Sequence, residues 1–295
     1  MSFPSSSSFA FRPRFDWRLR TRTLPLGERT LVMQIVNLTP DSFSGDGHMG
    51  EAAAIDAAVK ALDEGADILD LGAESTRPNA TALSADEEQK RLMPVLQGIL
   101  RLRPTAVLSI DTYHAETAKA ALDAGAEIVN DVSGLLWDER MAEVVGGARC
   151  GLVLMHTRGR SQEWGSLPPL GVEEVLPVVR GGLLERMDAA LEAGIAVEHI
   201  VLDPGFGFGK MGAENFALLA RFAELAKLHR PLLAGLSRKR FLGEALPAAE
   251  RVNATTAAHV AAILGGAHVV RAHDLRAAQE AVHVADAVLA GGFAG

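Results

Sequence analysis

Polar side chains recur at the ends of short apolar runs along this chain: Asn37, Asp70, Asp111, Asn130 with Asp131, His156, Asp203, Ser237-Arg238-Lys239, and Arg271 with His273-Asp274. Buried carboxylates and amides need hydrogen-bond partners, so a set this large at strand ends points to a shared polar ligand. Arg271 and His273 alternate on one run, which puts both side chains on the same side of a strand. With Arg238 and Lys239 they supply cations suited to phosphate. The expected ligand combines phosphate with hydrogen-bonding groups that Asp and Asn can satisfy.

Other chemistries are excluded by spacing. Asp203-Pro-Gly-Phe-Gly-Phe-Gly-Lys210 superficially looks like a phosphate loop, but its glycines are wrongly spaced and Met211 stands where a hydroxyl belongs. Its glycines fit a tight turn after Asp203, with Phe206 and Phe208 available to lie against a flat ligand. Ser237 is no nucleophile elbow, because the second glycine is missing. Cys150 precedes its strand and is expected to be inert. Zinc and calcium signatures are absent.

Such residues need a scaffold that gathers strand ends on one face. The run Leu31–Asn37 is apolar and β-branched until Asn37 and then Thr39-Pro40-Asp41-Ser42 interrupt it. Further strands are predicted at 67–72, 106–112, 127–133, 151–157, 199–205, 231–237 and 268–274. Helical patterns follow them: 51–64, a helix capped by Ser84 and Glu87 and running to about 103, 115–124, a short helix from Asp138, 172–193, 214–227, 248–264 and 275–289. Gly65-Ala66, Gly125-Ala126 and Gly266-Ala267 mark returns into strands, implying parallel pairing and right-handed crossovers. The fold class is therefore α/β, a single-domain (β/α)8 TIM barrel over 31–291, whose active sites lie at the carboxyl ends of the strands. A doubly wound open sheet competes, but no glycine fingerprint follows the first strand.

Composition agrees. Hydrophobic residues make up 48% of the 295, enough for a large core, and no run is long or apolar enough to span a bilayer. A net charge of -8 argues against a nucleic-acid surface. A single cysteine, with no partner for a disulfide, fits a reducing, cytoplasmic setting. Residues 1–30 read as an N-terminal extension, partly disordered, with a serine run and several arginines but no apolar block of a secretory signal.

The motifs Val36-Asn-Leu-Thr-Pro-Asp-Ser-Phe-Ser44, Gly72-Ala-Glu-Ser-Thr-Arg-Pro78, Ser109-Ile-Asp-Thr112, Asn130-Asp131, Met155-His156, Asp203–Lys210, Gly235-Leu-Ser-Arg-Lys239 and Arg271-Ala-His-Asp274 resemble the signatures of the dihydropteroate synthase family. The resemblance runs in the family's order from Leu31 to about Ala290. It implies condensation of 6-hydroxymethyl-7,8-dihydropterin diphosphate with p-aminobenzoate, with Mg²⁺ as cofactor, in a homodimer that is a sulfonamide target. Carried over, it puts the pterin against Asp111, Asn130, Met155, Asp203 and Lys239. The diphosphate would meet Asn37, Arg77, Arg271 and His273, with Mg²⁺ on Asn37. Thr76, Phe208, Ser237 and Lys239 would border p-aminobenzoate. Asn37, Asp111, Asp203, Lys239, Arg271 and His273 form the implied catalytic set.

Gln34 and Ala73 depart from the family's usual glycines, the first loop continues Gly45-Asp46-Gly47-His48, and Met155-His156 is followed by Thr157-Arg158. None of these removes a residue with an implied role. The alternatives are a pterin-binding methyltransferase domain, which would not need the cations after 237 and at 271–273, and a catalytically silent pterin-binding protein.

Overall fold

A computed structural model of the protein describes residues 12–38, 47–74 and 83–291. An N-terminal hairpin, β1 (Phe15–Arg18) and β2 (Thr23–Leu26), precedes eight parallel strands: β3 (Leu31–Asn37), β4 (Ile68–Gly72), β5 (Leu108–Asp111), β6 (Ile128–Asp131), β7 (Gly151–Met155), β8 (Ile200–Asp203), β9 (Leu233–Ala234) and β10 (Val269–Ala272). Their order is β8-β7-β6-β5-β4-β3-β10-β9, and a parallel bridge between Leu202 and Leu232 joins the two ends into a closed barrel. Helices follow the strands in turn: α1 (Gly47–Asp63), α2 (Ala85–Leu102), α3 (Ala115–Asp123), α4 (Met141–Ala148), α5 (Val175–Glu192), α6 (Gly212–Ala220), α7 (Val252–Leu264) and α8 (Leu275–Gly291).

Local signals account for much of this. Ser84 accepts from the Glu87 N–H while the Glu87 carboxylate accepts from the Ser84 N–H, the capping box expected at the start of α2. Gly65, Gly125 and Gly266 take positive φ just past α1, α3 and α7. The alanine after each donates to a carbonyl five residues back, which turns the chain into the next strand.

Most elements are a few residues shorter or shifted at their ends, and two differ more substantially from the sequence reading. The strand predicted over 231–237 shrinks to β9; at its start Pro231 has no N–H for the ladder and the Leu232 N–H donates to the His268 ring instead. The helix predicted over 214–227 divides into α6 and a 3-10 segment at Phe222–Leu228, and Phe222 is buried against Phe206.

The N-terminal extension also differs. Residues 12–26 fold onto the barrel's lower end, where the sequence reading placed no strand. Trp17, Leu19 and Leu26 face inward and are buried against Met33, Ile68, Val107, Ile128, Val153, Val201, Leu233 and Val269. The indole N–H of Trp17 donates to the His199 carbonyl at 2.8 Å. The neighbouring arginines satisfy the lower loops: Arg20 donates to the Ala126 carbonyl, Arg22 to that of Thr105, and Arg18 pairs with Glu198. Arg12, itself buried, bridges Thr30, the Ala267 carbonyl and Asp286. Arginines of an extension expected to be partly disordered thus form the polar rim of an apolar plug.

Candidate active site

The site follows from the two-residue period of a strand. Met33, Ile68, Val107, Ile128, Val153, Val201, Leu233 and Val269 form the lowest inward layer, one from each strand or its first flank. Two residues further along each chain segment stand Ile35, Asp70, Ser109, Asn130, Met155, Asp203, Gly235 and Arg271. Two further still are Asn37, Gly72, Asp111, Val132, Thr157, Gly205, Ser237 and His273. Within one step the barrel interior passes from all-apolar to strongly polar. The small members make room: a Cβ on Gly72 would press on Asp111 at 3.3 Å, and one on Gly235 would meet the Asp203 carboxylate at 3.4 Å.

Arg271 organises the charges. Its Nε donates to Asp70 and its Nη2 to Asp111, both at 2.6 Å. The amide of Asn130 donates to the same Asp70 oxygen at 2.9 Å. Burial works against the Arg271 charge, but Asp70 and Asp111 outweigh it and hold the guanidinium firmly protonated. Burial pushes Asp111 up to about 7, with Arg271 opposing. Asp203 is likewise raised by burial, opposed by the Gly205 N–H that its carboxylate accepts at 2.7 Å and by Lys239. Burial lowers Lys239 to about 8. The other Asp70 oxygen and the Ser109 hydroxyl are buried without partners among the described residues, so the floor retains hydrogen-bonding capacity that these residues do not use.

Loops complete the enclosure. Asn130, Val132, Met155, Asp203, Phe206, Phe208, Gly235, Lys239 and Arg271 line one small cavity. The Lys239 ammonium lies over the Phe208 ring, 4.2 Å from its centre. Ser237 joins β9 to the end of β10: its oxygen accepts from the His273 N–H at 3.1 Å and lies 3.0 Å from the ring Nδ1. Asn37 ends β3 exposed at the mouth.

The structure sorts the sequence-predicted residues. Asp111, Asn130, Met155, Asp203, Arg271 and Lys239 are brought together, with Phe208, Ser237 and His273 beside them and Asn37 at the rim. Thr76, Arg77 and Asp41 lie outside the described residues. Asp70 had no assigned role, yet it orients both Arg271 and Asn130. Its position two residues beyond buried Ile68 was the available signal.

Several expectations need correction. Arg238 is not a phosphate cation, because both its Nε and Nη2 are bound to Asp274, at 2.9 and 2.7 Å. His273 is not a cation either: burial lowers it to about 4 and leaves the imidazole neutral. Lys210 directs its ammonium at the carbonyls of Gly205, Phe208 and His156, which pins the glycine turn; burial lowers it to about 7 while three acceptors match its three N–H donors. Phe206 is packing, stacked between Phe222 and Phe241. Asp131 caps the loop after β6 through the N–H groups of Ser133 and Leu135. His156 stands one residue out of step and packs on α5, so close to Gly182 that a Cβ there would lie 2.6 Å from its ring. Cys150 is a free, buried thiol pushed up to about 12 by burial, as expected of an inert group. Gln34 points out of the barrel and donates to the His273 carbonyl at 2.9 Å, so this departure braces β3 against the end of β10.

Residues 33–273 match the profile of the family described as pterin binding enzyme. A dihydropteroate synthase of Synechocystis is 40% identical over 278 residues, which are 93% of this chain and 92% of that protein. The chain belongs to the dihydropteroate synthase family. It is accordingly a transferase of folate synthesis with the (β/α)8 barrel of that family. The solved dihydropteroate synthase of Xanthomonas albilineans with 4-aminobenzoic acid superposes with a TM-score of 0.84 at 40% identity, covering 95% of this chain and 99% of that one. The Yersinia pestis dihydropteroate synthase with a sulfonamide drug complex gives 0.86 at 34% identity, covering 94% and 100%.

Proposed function

We propose that the barrel mouth binds 6-hydroxymethyl-7,8-dihydropterin diphosphate and p-aminobenzoate and joins them, releasing diphosphate and 7,8-dihydropteroate. The observation that carries this reading is Arg271, half-buried and shared between two carboxylates while part of its N–H fork has no partner among the described residues. On this reading Asp111, Asn130 and Asp203 accept from and donate to the aminopyrimidine edge of the pterin. Lys239 takes another edge, and Met155 packs against the ring. The remaining N–H groups of Arg271 meet the diphosphate, together with His273, Asn37 and Arg77. Phe208, Ser237, Lys239 and Thr76 border the arylamine.

The chemistry suits a dissociative transfer. The bond between the pterin methylene and the diphosphate oxygen breaks with its electron pair leaving on the oxygen. The arylamine nitrogen then attacks the methylene and loses a proton. Arg271 stabilises the charge that develops on the leaving group, where a preorganised donor in a dry site counts most. Ser237 already accepts from the His273 N–H, so its own proton is free to donate to Nδ1; this supports a neutral His273 that presents Nε2–H to a phosphate oxygen. Asp111 and Asp203, with the loop residue Asp41, favour the pterin cation electrostatically. A covalent nucleophile is not required.

The amide oxygen of Asn37 is a hard donor at the open rim, which fits Mg²⁺, an ion that keeps few protein ligands and takes substrate phosphate for the rest. When bound it would neutralise diphosphate charge. We also assign a homodimer, supported by Val284 and Val288 exposed on α8, and a cytoplasmic setting, supported by the unpaired Cys150. The test is diphosphate release from the pterin substrate, expected only with both p-aminobenzoate and Mg²⁺ present. Protein that binds the pterin but releases nothing would overturn the reading in favour of a silent binder.

A further inference from the structure

We infer that Trp164 is a positioning residue for the arylamine, acting through Phe208 rather than by touching the reacting atoms. This rests on the assignment of Phe208 to the border of the p-aminobenzoate site. The glycine turn is pinned and fixes where the Phe208 backbone runs, but the flanking Gly207 and Gly209 have no side chains to hold its ring. Two side chains fix it instead. The Lys239 ammonium sits on its face at 4.2 Å, and Trp164 meets it edge-on at 5.3 Å with the ring planes 77° apart. Lys239 already belongs to the pterin and arylamine contacts. Trp164 comes from the loop between β7 and α5, which nothing in the reaction has yet required.

That loop is built as a rigid mount. At its start Arg158 donates to the Gly209 carbonyl at 3.0 Å and to that of Pro168 at 2.9 Å, and its guanidinium lies 3.9 Å from Glu214. At its far end the Leu170 N–H donates to Glu214 at 2.8 Å, while the other Glu214 oxygen accepts from Met211. One buried carboxylate thus ties the loop to the segment that carries Phe208. Between these anchors the indole N–H of Trp164 donates to the Gly159 carbonyl at 3.1 Å, and only 8% of the residue is exposed. Val132, Met155 and Leu167 complete the apolar cluster. The groups assigned to the pterin's polar edge come from β5, β6 and β8, whose carboxylates and amide Trp164 does not hold. Loss of Trp164 should therefore loosen the arylamine side and leave pterin recognition standing.

Four variants test this in the full chain: Trp164→Ala, Trp164→Leu, Trp164→Phe and Phe208→Ala. An edge-to-face pair contributes about 0.5–1.5 kcal/mol, so Trp164→Ala should raise KM for p-aminobenzoate about two- to twelvefold with kcat within about twofold. Trp164→Leu preserves buried apolar bulk, guards against a folding defect, and should show the same rise. Trp164→Phe keeps the edge contact and should recover most of it. Pterin diphosphate affinity, measured by calorimetry without p-aminobenzoate, should stay within about twofold in all three. In a Phe208→Ala background Trp164→Ala should add little, since the two act as a unit. An unchanged KM in folded Trp164→Leu, or a full additional rise in the Phe208→Ala background, overturns the inference. If Phe208→Ala alone leaves that KM unchanged, the arylamine assignment itself falls.

Discussion

The two ends of the barrel are built from the same eight strands, two residues apart, and do opposite things. At the lower end Trp17, Leu19 and Leu26 close a layer of eight apolar side chains, and the hairpin's polar groups reach outward to loop carbonyls. At the upper end the next layers bury Asp70 and Asp203 and half-bury Asp111, Lys239 and Arg271, and one oxygen of Asp70 and the Ser109 hydroxyl have no partner among the described residues. Burying apolar area stabilises the fold directly, at about 25 cal/mol per Å². Burying charges that are only partly paired costs stability and is retained for what it can bind. One end holds the barrel closed so that the other can keep a dry, charged set of groups in place.

The largest effect expected from this contrast is at the upper end. Asp203→Ala should weaken pterin diphosphate binding by about 10³-fold, the scale of losing one charged partner inside a desolvated contact. Calorimetry giving an unchanged Kd in a folded variant would sink the pocket assignment. The lower end should behave in the opposite manner. Trp17→Ala should remove about 3–4 kcal/mol of stability, the cost of emptying a fully buried indole site. Its turnover per folded molecule should stay within about twofold; a matched loss of kcat would show that the plug also shapes the mouth.

The smallest effect probes a buried group that belongs to neither end. His259 on α7 is buried, neither ring nitrogen makes a well-formed hydrogen bond among the described residues, and burial lowers it to about 4 against a weaker opposing contact with the Arg271 backbone. An unfolded histidine takes up its proton near pH 6.5, whereas the folded one does not until about 4. Stability tied to this group is therefore lost as pH falls through that window. His259→Leu should stabilise the protein by about 1 kcal/mol at pH 7, by removing unsatisfied polar atoms. Its advantage over the parent should widen by about 2 kcal/mol at about pH 5. Melting curves at the two pH values that run parallel would refute the account.

Much of the site is legible in the sequence. Asp111, Asn130, Asp203, Arg271 and His273 end apolar runs with a two-residue period, and that period alone separates them from Asp131, His156 and Asp274, which stand one residue out of step. Applied to every strand, the same rule singles out Asp70. The hairpin is hidden because Trp17 and Leu19 alternate with arginines over too few residues to show a pattern, and the apolar plug they join is drawn from all eight strands.

The sequence by itself determined eight β/α units and the glycine returns between them, because each depends on a few neighbouring residues. Only the tertiary structure decided which charge meets which. Arg271 finds Asp70 and Asp111, 201 and 160 residues away, because closing the barrel sets β10 across from β4 and β5. Arg238 and Lys210 look equally available in the sequence, but one is held by Asp274 and the other by three carbonyls. Pairing of buried charge depends on distance and desolvation in the folded interior, and neither is a local property of the chain.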